Sequence, residues 1–268
     1  MSDYSVMKGL VIRESKYGEN DRIISAVTAE KGRITIFARG AMRTSSKRST
    51  AMGPYMYSEF VLKKGSEFYT VTDASPIESF FGVSDDLRSM ALASYISEVL
   101  YWLCQEEVPD ENNLRLALNT FYALAHKKKT PRLIKAAFEF RAASNAGFLP
   151  DLSGCSRCGR DTAEEWLMRI VDGEIICGEC NKDGADAPSV KNEFGDIIET
   201  ATPIAVFGQN VLDAMRIACF APIQKFMSFD LDGENLSVFS DAAEKYLLWH
   251  FESEFKTLDF YKRIDTGQ

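Results

Sequence analysis

Histidine is scarce: the 268 residues contain two, His126 and His250. Neither stands near a plausible nucleophile, and no H-E-x-x-H helix is present. There is no G-x-x-x-x-G-K-[ST] loop to cradle a nucleotide triphosphate. No stretch approaches the roughly 18 consecutive apolar residues of a membrane span, and the N-terminus carries no basic segment followed by an apolar run. These absences predict a chain that is neither inserted nor exported, a cytoplasmic protein, and they speak against nucleotide-triphosphate, zinc-protease and histidine-assisted nucleophilic chemistry. With 46% hydrophobic residues the chain has ample core for about two soluble domains.

Four of the six cysteines stand in two C-x2-C pairs, Cys155/Cys158 and Cys177/Cys180. Zinc prefers four thiolates in a tetrahedron, and a C-x2-C turn points two sulfurs at one ion, so two such turns complete a site. Gly159 and Gly178 allow the tight turns. Between the pairs, Glu165–Ile170 and Glu174–Ile176 read as two strands joined by a type I′ turn at Asp172-Gly173. Four cysteines leave no open coordination position, so the metal is expected to be structural, one zinc per chain. The deaminase pattern requires a proline before a cysteine pair, and Gly154 and Ile176 stand there instead. Two disulfides are the alternative, disfavoured in a reducing compartment, where Cys104 and Cys219 read as ordinary buried thiols.

The net charge of -8 is unevenly spread. Residues 1–80 hold twelve Lys/Arg against nine Asp/Glu, and the remainder holds 19 against 30. From Lys31 to Ser58 there is no acidic residue. A basic module on an acidic body suggests a phosphate backbone as partner. Residues 6–74 read as about five strands, near Val6–Arg13, Arg22–Thr28, Gly32–Arg39, Tyr55–Lys63 and Phe68–Asp73. An OB-fold barrel is the common five-stranded solution. On the third strand Ile34, Ile36 and Ala38 point inward, while Arg33, Thr35, Phe37 and Arg39 point outward and combine cations with an aromatic ring. The segment Gly40–Pro54, too polar for core, adds Arg43, Lys47 and Arg48 among hydroxyls suited to phosphate. A solvated strand face and loop is the plain alternative.

From Ser84 the period changes from two to 3.6. Ser84 is expected to cap a helix ending at Pro109, and Asp110 a second, followed by His126 and Lys127-Lys128-Lys129, cations that suit a helix C-terminus. Thr130-Pro131 opens a third helix, with Ile134, Ala137, Phe138 and Arg141 inward. Asn181–Glu199 reads as a loop or weak helix. Thr202-Pro203 is expected to open another helix, and Ser240 or Asp241 to cap the last, from about Ala242, with His250 a satisfied core histidine. The fold class is therefore α+β: an N-terminal five-stranded OB-fold barrel over residues 1–80, then an α-helical domain over 81–268 with an inserted zinc ribbon hairpin at about 150–185.

The runs Gly9–Arg13, Tyr17–Ile24 and Ala38–Ala41, with Ser94–Glu98, Phe138–Arg141, Gly147–Pro150, the cysteine pairs and Tyr246-Leu247 to Lys256-Thr257, resemble the RecO family of DNA repair and recombination mediators. The resemblance covers nearly the whole chain. It implies binding to single- and double-stranded DNA, strand annealing, and action with RecR to place the RecA recombinase on DNA coated by single-strand-binding protein, without catalysis. Members lacking the cysteines exist, so zinc is a stabilising element here. Ala142-Ala143 depart from a usual leucine pair, and residues 181–203 match no family pattern. Arg33, Phe37, Arg39, Arg43, Lys47 and Arg48 are the candidate DNA contacts. Lys127, Lys128, Lys129 and Arg132 are the candidate site for the acidic tail of single-strand-binding protein. The competing reading is a nucleic-acid-processing enzyme that uses barrel and ribbon for substrate capture, with a carboxylate-held Mg²⁺.

Overall fold

The computed structural model describes residues 4–40, 47–66, 68–182, 190–191, 197–198 and 204–266. The chain forms β1 (Tyr4–Tyr17), β2 (Asp21–Thr28) and β3 (Gly32–Ala38), the last alternating strictly between buried and half-buried residues, followed by a five-residue helix α1 (Lys47–Ala51), β4 (Met56–Lys64) and β5 (Tyr69–Ser79). They close into a barrel in the order β1-β2-β3-β5-β4. Its β3–β5 seam is parallel, through Ile36 and Tyr69, and its other four seams are antiparallel. This is the OB-fold connectivity expected from the strand count. Ile34, Ile36 and Ala38 fill the barrel at 2%, 0% and 0% exposure.

The segment expected to be wholly solvated behaves differently at its end. Ala51 and Met52 belong to the barrel core, and the Ala51 carbonyl accepts from the buried Ser58 hydroxyl at 2.7 Å. One apolar pair at the end of a polar stretch suffices to plug an open barrel end, a tertiary demand that mean polarity does not reveal. Gly32 at the β2–β3 turn has φ +56, and a Cβ there would lie 2.3 Å from the Val108 carbonyl, so only glycine admits this contact.

After a 3₁₀ turn at Phe81–Asp85 come α2 (Leu87–Leu103), α3 (Glu111–Ala125) and α4 (Pro131–Asn145). Asp110 caps α3 as expected, accepting from the Asn113 amide at 3.0 Å. The cap of α2 is Asp86 rather than Ser84, which lies inside the 3₁₀ turn. Asp86 accepts from the Ser89 amide and hydroxyl, both at 2.8 Å, and these bonds hold its carboxyl below the usual range. Asp86→Ala is expected to cost about 1 kcal/mol in denaturant unfolding at neutral pH. Because the folded pKa is lowered, that contribution is present above the ordinary carboxylate pKa and disappears as pH falls through the folded value, so the gap to the parent should close in acid.

The rest of the chain forms β6 (Trp166–Arg169), β7 (Ile175–Cys177), the two-residue pair β8 (Val190–Lys191) and β9 (Ile197–Ile198), β10 (Ile204–Phe207), α5 (Gln209–Phe220), α6 (Gly233–Phe251) and α7 (Lys256–Thr266). Two expectations change here. The run after Pro203 is a strand that pairs with β6, Phe207 opposite Trp166, and the helix starts only at Gln209. The last long helix starts at Gly233, nine residues before Ala242, which leaves Ser240 and Asp241 inside it, and it ends at the left-handed Glu252 before the separate α7.

Packing divides the chain into two compact units, residues 1–131 with 255–268, and residues 132–254. The change of period near residue 80 separates strands from helices, whereas α2, α3 and α7 pack in the same unit as the barrel. The outer faces of β1 and β2 explain this: Leu10, Ile12 and Val27 are buried where α2 and α3 lie on those strands. In the second unit Trp166, Phe138, Phe140, Phe239 and Tyr246 form a core at 0–1% exposure. His250 stacks with Phe148 and meets Tyr246 edge-on; its Nε2 is buried with no partner among the described residues. No described helix is long and apolar enough to cross a membrane.

Candidate nucleic-acid face and metal centre

The pleat carries Phe37 to the outside of β3, where Tyr17 meets it edge-on at 5.4 Å and the Arg39 guanidinium sits 6.0 Å from its ring centre. The register explains the meeting: Ile23 on β2 stands opposite both Ser15 on β1 and Phe37 on β3. Tyr17 is exposed, so the end of this sheet face presents two rings and a cation to solvent. Such a face can stack bases and attract phosphate.

The other predicted contacts fare unequally. Arg33 does point outward, but its guanidinium lies 4.0 Å over the Tyr101 ring, pairs with Glu106 at 3.0 Å and donates to the Cys104 carbonyl at 3.3 Å. It holds α2 to the barrel. Arg48 donates to the Arg39 and Thr72 carbonyls at 3.3 and 3.4 Å. Lys47 begins α1, and Arg43 lies outside the described residues. Tyr17 and Arg13 were missed, because only strand register and the position of α2 bring them to this side. Lys127 and Lys128 are exposed at the end of α3, Lys129 is half-buried, and Arg132 pairs with Asp241 at 3.5 Å and donates to the Ser237 hydroxyl at 3.1 Å.

In the second unit, β6 and β7 form the hairpin between the cysteine pairs. Its turn is wider than the expected two residues: the Glu174 carbonyl accepts from the Arg169 amide and Gly173 donates to Arg169, so residues 170–173 make the loop, with Gly173 alone at positive φ. β10 adds a third strand to this sheet. Gly159, at φ +74, ends the first knuckle and donates to the Cys155 carbonyl at 2.8 Å. Arg157 crosses to the Cys180 carbonyl at 2.7 Å and ties the knuckles together.

The sulfurs of Cys155, Cys158, Cys177 and Cys180 all lie within 4.8 Å of one another, with Cys158 and Cys177 at 3.8 Å. Tetrahedral Zn–S bonds of about 2.3 Å separate their sulfurs by about 3.8 Å, so the cluster fits the ion. Burial works to raise the Cys155 thiol, but amide donation from Cys177, Cys158 and Arg157 outweighs it and brings the pKa down to about 6. Hydrogen bonds with Cys158 and Cys177 push Cys180 up to about 12. Four sulfurs this close cannot all carry charge without a cation among them.

Two family models match. The N-terminal domain of recombination protein O matches residues 1–80, and the C-terminal domain matches residues 84–202. Among curated relatives, a DNA repair protein RecO from Caldicellulosiruptor bescii is 30% identical over 96% of this chain and 97% of its own length. One from Acetivibrio thermocellus is 27% identical over 98% of both chains, and one from Alkaliphilus metalliredigens 31% identical over 69% of this chain and 74% of its own. Family matches to both its barrel and its helical part, with relatives aligned along nearly the whole length, show that the chain belongs to the RecO family.

Proposed function

We propose that this protein is a non-catalytic mediator of DNA repair by recombination. It binds single- and double-stranded DNA on the barrel, anneals complementary strands and helps load the RecA recombinase with RecR and single-strand-binding protein. The observation that carries the DNA part is the Tyr17–Phe37–Arg39 cluster, with Tyr17 and Arg39 exposed and Phe37 half-buried, on a closed barrel with a packed interior. Rings on that face accept any base, and the cation adds attraction to any phosphate, so binding is sequence-tolerant. Annealing follows from screening two backbones while leaving base edges free, with no bond made or broken. Family membership supports the roles with RecR, RecA and single-strand-binding protein. Lys127, Lys128 and Lys129 are the cations we assign to the acidic tail, with Arg132 already engaged by Asp241. Zinc held by Cys155, Cys158, Cys177 and Cys180 stabilises the ribbon and takes no part in chemistry.

Equilibrium binding to single strands and duplex across a salt series tests this. Arg39→Ala should flatten the log–log salt slope by about 0.7 on single strands and about 0.9 on duplex. Phe37→Ala should weaken single-strand binding about fivefold or more and duplex binding less. Both variants should slow annealing without ATP, and Mg²⁺ with ATP should leave the strands covalently unchanged. Parent-like binding in both variants would remove the face from consideration; cleaved or ligated strands would favour the enzyme reading.

A further inference from the structure

Within the first unit, β1, α2 and the start of α7 enclose a cleft of about 480 Å³. Tyr101 and Trp102 line it, Trp102 63% exposed and Tyr101 with the Arg33 guanidinium 4.0 Å over its ring. Arg13 and Lys256 line it with two exposed cations, and neither has a carboxylate within ion-pair distance among the described residues. Arg13 also lies 5.3 Å from the Tyr101 ring centre.

The hydroxyls of this cleft differ in a telling way. Ser94 follows the usual habit of a helical serine, donating to the Met90 carbonyl at 3.0 Å, and it meets the Tyr55 hydroxyl at 3.3 Å. Ser97 does not. It is 6% exposed, lines the cleft, and its Oγ has no hydrogen-bond partner among the described residues. A buried hydroxyl without a partner is costly, and a ligand that supplies one relieves the cost. The cleft's one carboxylate, Glu98, is already engaged, accepting from the Thr257 amide at 3.0 Å and from the Thr257 hydroxyl at the start of α7.

We propose that this cleft takes one nucleotide unit, its base stacked on the exposed Trp102 and bonded to Ser97, its phosphate between Arg13 and Lys256. The volume suits a ligand of that size. An extended peptide is less well served, because β1 is paired on both sides in the closed barrel and offers no strand edge. The unit comes either from a bound strand that turns one base out of its stack or from a free mononucleotide. The strand-borne case rests on the DNA-binding reading above.

The full-length chain is photo-crosslinked to a thymidine strand carrying iododeoxyuridine, the adduct is mapped by mass spectrometry, and Trp102 fluorescence is followed with thymidine monophosphate. The adduct should fall on Tyr101 or Trp102. Trp102→Ala and Lys256→Glu, both at exposed positions, should keep the parent melting temperature and bind the strand at least about fivefold more weakly. Saturable quenching by the mononucleotide that vanishes in Trp102→Phe identifies a free-nucleotide site; an adduct without such quenching identifies a strand-borne base. If Arg39→Ala weakens strand binding while both cleft variants bind like the parent and the adduct lies elsewhere, the cleft assignment falls and the barrel reading stands. Absence of any binding to strand or mononucleotide overturns both. Quenching by a glutamate–tyrosine copolymer and not by nucleotides would make the cleft a protein-docking site and overturn the proposal.

Discussion

Cys177→Ser is expected to strip the ribbon of its metal and to lower the thermal stability and solubility of the whole chain. Cys177 is fully buried at the end of β7, its sulfur 3.8 Å from that of Cys158, and its amide donates to the Cys155 sulfur at 3.3 Å. Its loss removes one ligand and leaves three crowded sulfurs. Apparent binding energies of structural zinc sites are on the order of 10 kcal/mol or more, which exceeds the net stability of many domains. The strands themselves are held by pairing with β10 and by the buried Trp166, Met168, Ile175 and Ile176, so the loss should be felt most at the two cysteine knuckles, which have no such core. Elemental analysis should return one zinc per parent chain and none per variant. A chelator should reproduce the variant's loss of melting temperature in the parent. Parent protein purified without chelator, thiols reduced and zinc absent, would refute the metal.

The second large effect is expected at Lys135. This side chain is almost wholly buried on α4, with its ammonium 2.8 Å from Glu139 and 2.8 Å from Glu244 on α6; Glu139 is fully buried. Burial alone would lower the ammonium's pKa, but the two carboxylates outweigh it and hold it above the usual value. A raised folded pKa contributes stability that is complete below the unfolded pKa and is lost only as pH rises through the folded value, so the contribution is flat across neutrality and fails in strong alkali. Lys135→Ala removes the ammonium shared by the fully buried Glu139 and the 18% exposed Glu244 and should cost about 3–5 kcal/mol in denaturant unfolding. Lys135→Met with Glu139→Leu and Glu244→Leu, which removes all three charges, should recover most of that loss. A single variant within about 1 kcal/mol of the parent would show that water reaches the triad.

The legibility of this protein in its sequence follows the range of the interactions. Cysteine spacing, the alternation of Ile34, Ile36 and Ala38, and the cap at Asp110 were readable because each is a pattern over a few neighbouring residues, and the turn or pleat geometry that uses it is local. Asp86 rather than Ser84 caps α2 because residues able to cap stand two positions apart and only the path of the 3₁₀ turn chooses between them. The Thr202-Pro203 signal was overridden because an open edge of β6 captured the four residues that follow, exchanging a helical start for a strand ladder. Arg33 looked like a free cation because its partners Tyr101, Cys104 and Glu106 lie some seventy positions away and meet it only when α2 folds onto the barrel.

Lys135 was invisible for the same reason: a lysine beside Ile134 reads as solvated until α6 brings Glu244 to it. The sequence by itself determined the barrel and the cysteine site, carried by local periodicity and spacing, and the family, carried by the resemblance of its residue runs. Which cations face solvent, which hold the core together, and where Ser97 is left without a partner were decided by tertiary closure, because desolvation and pairing depend on what distant segments place beside each charge.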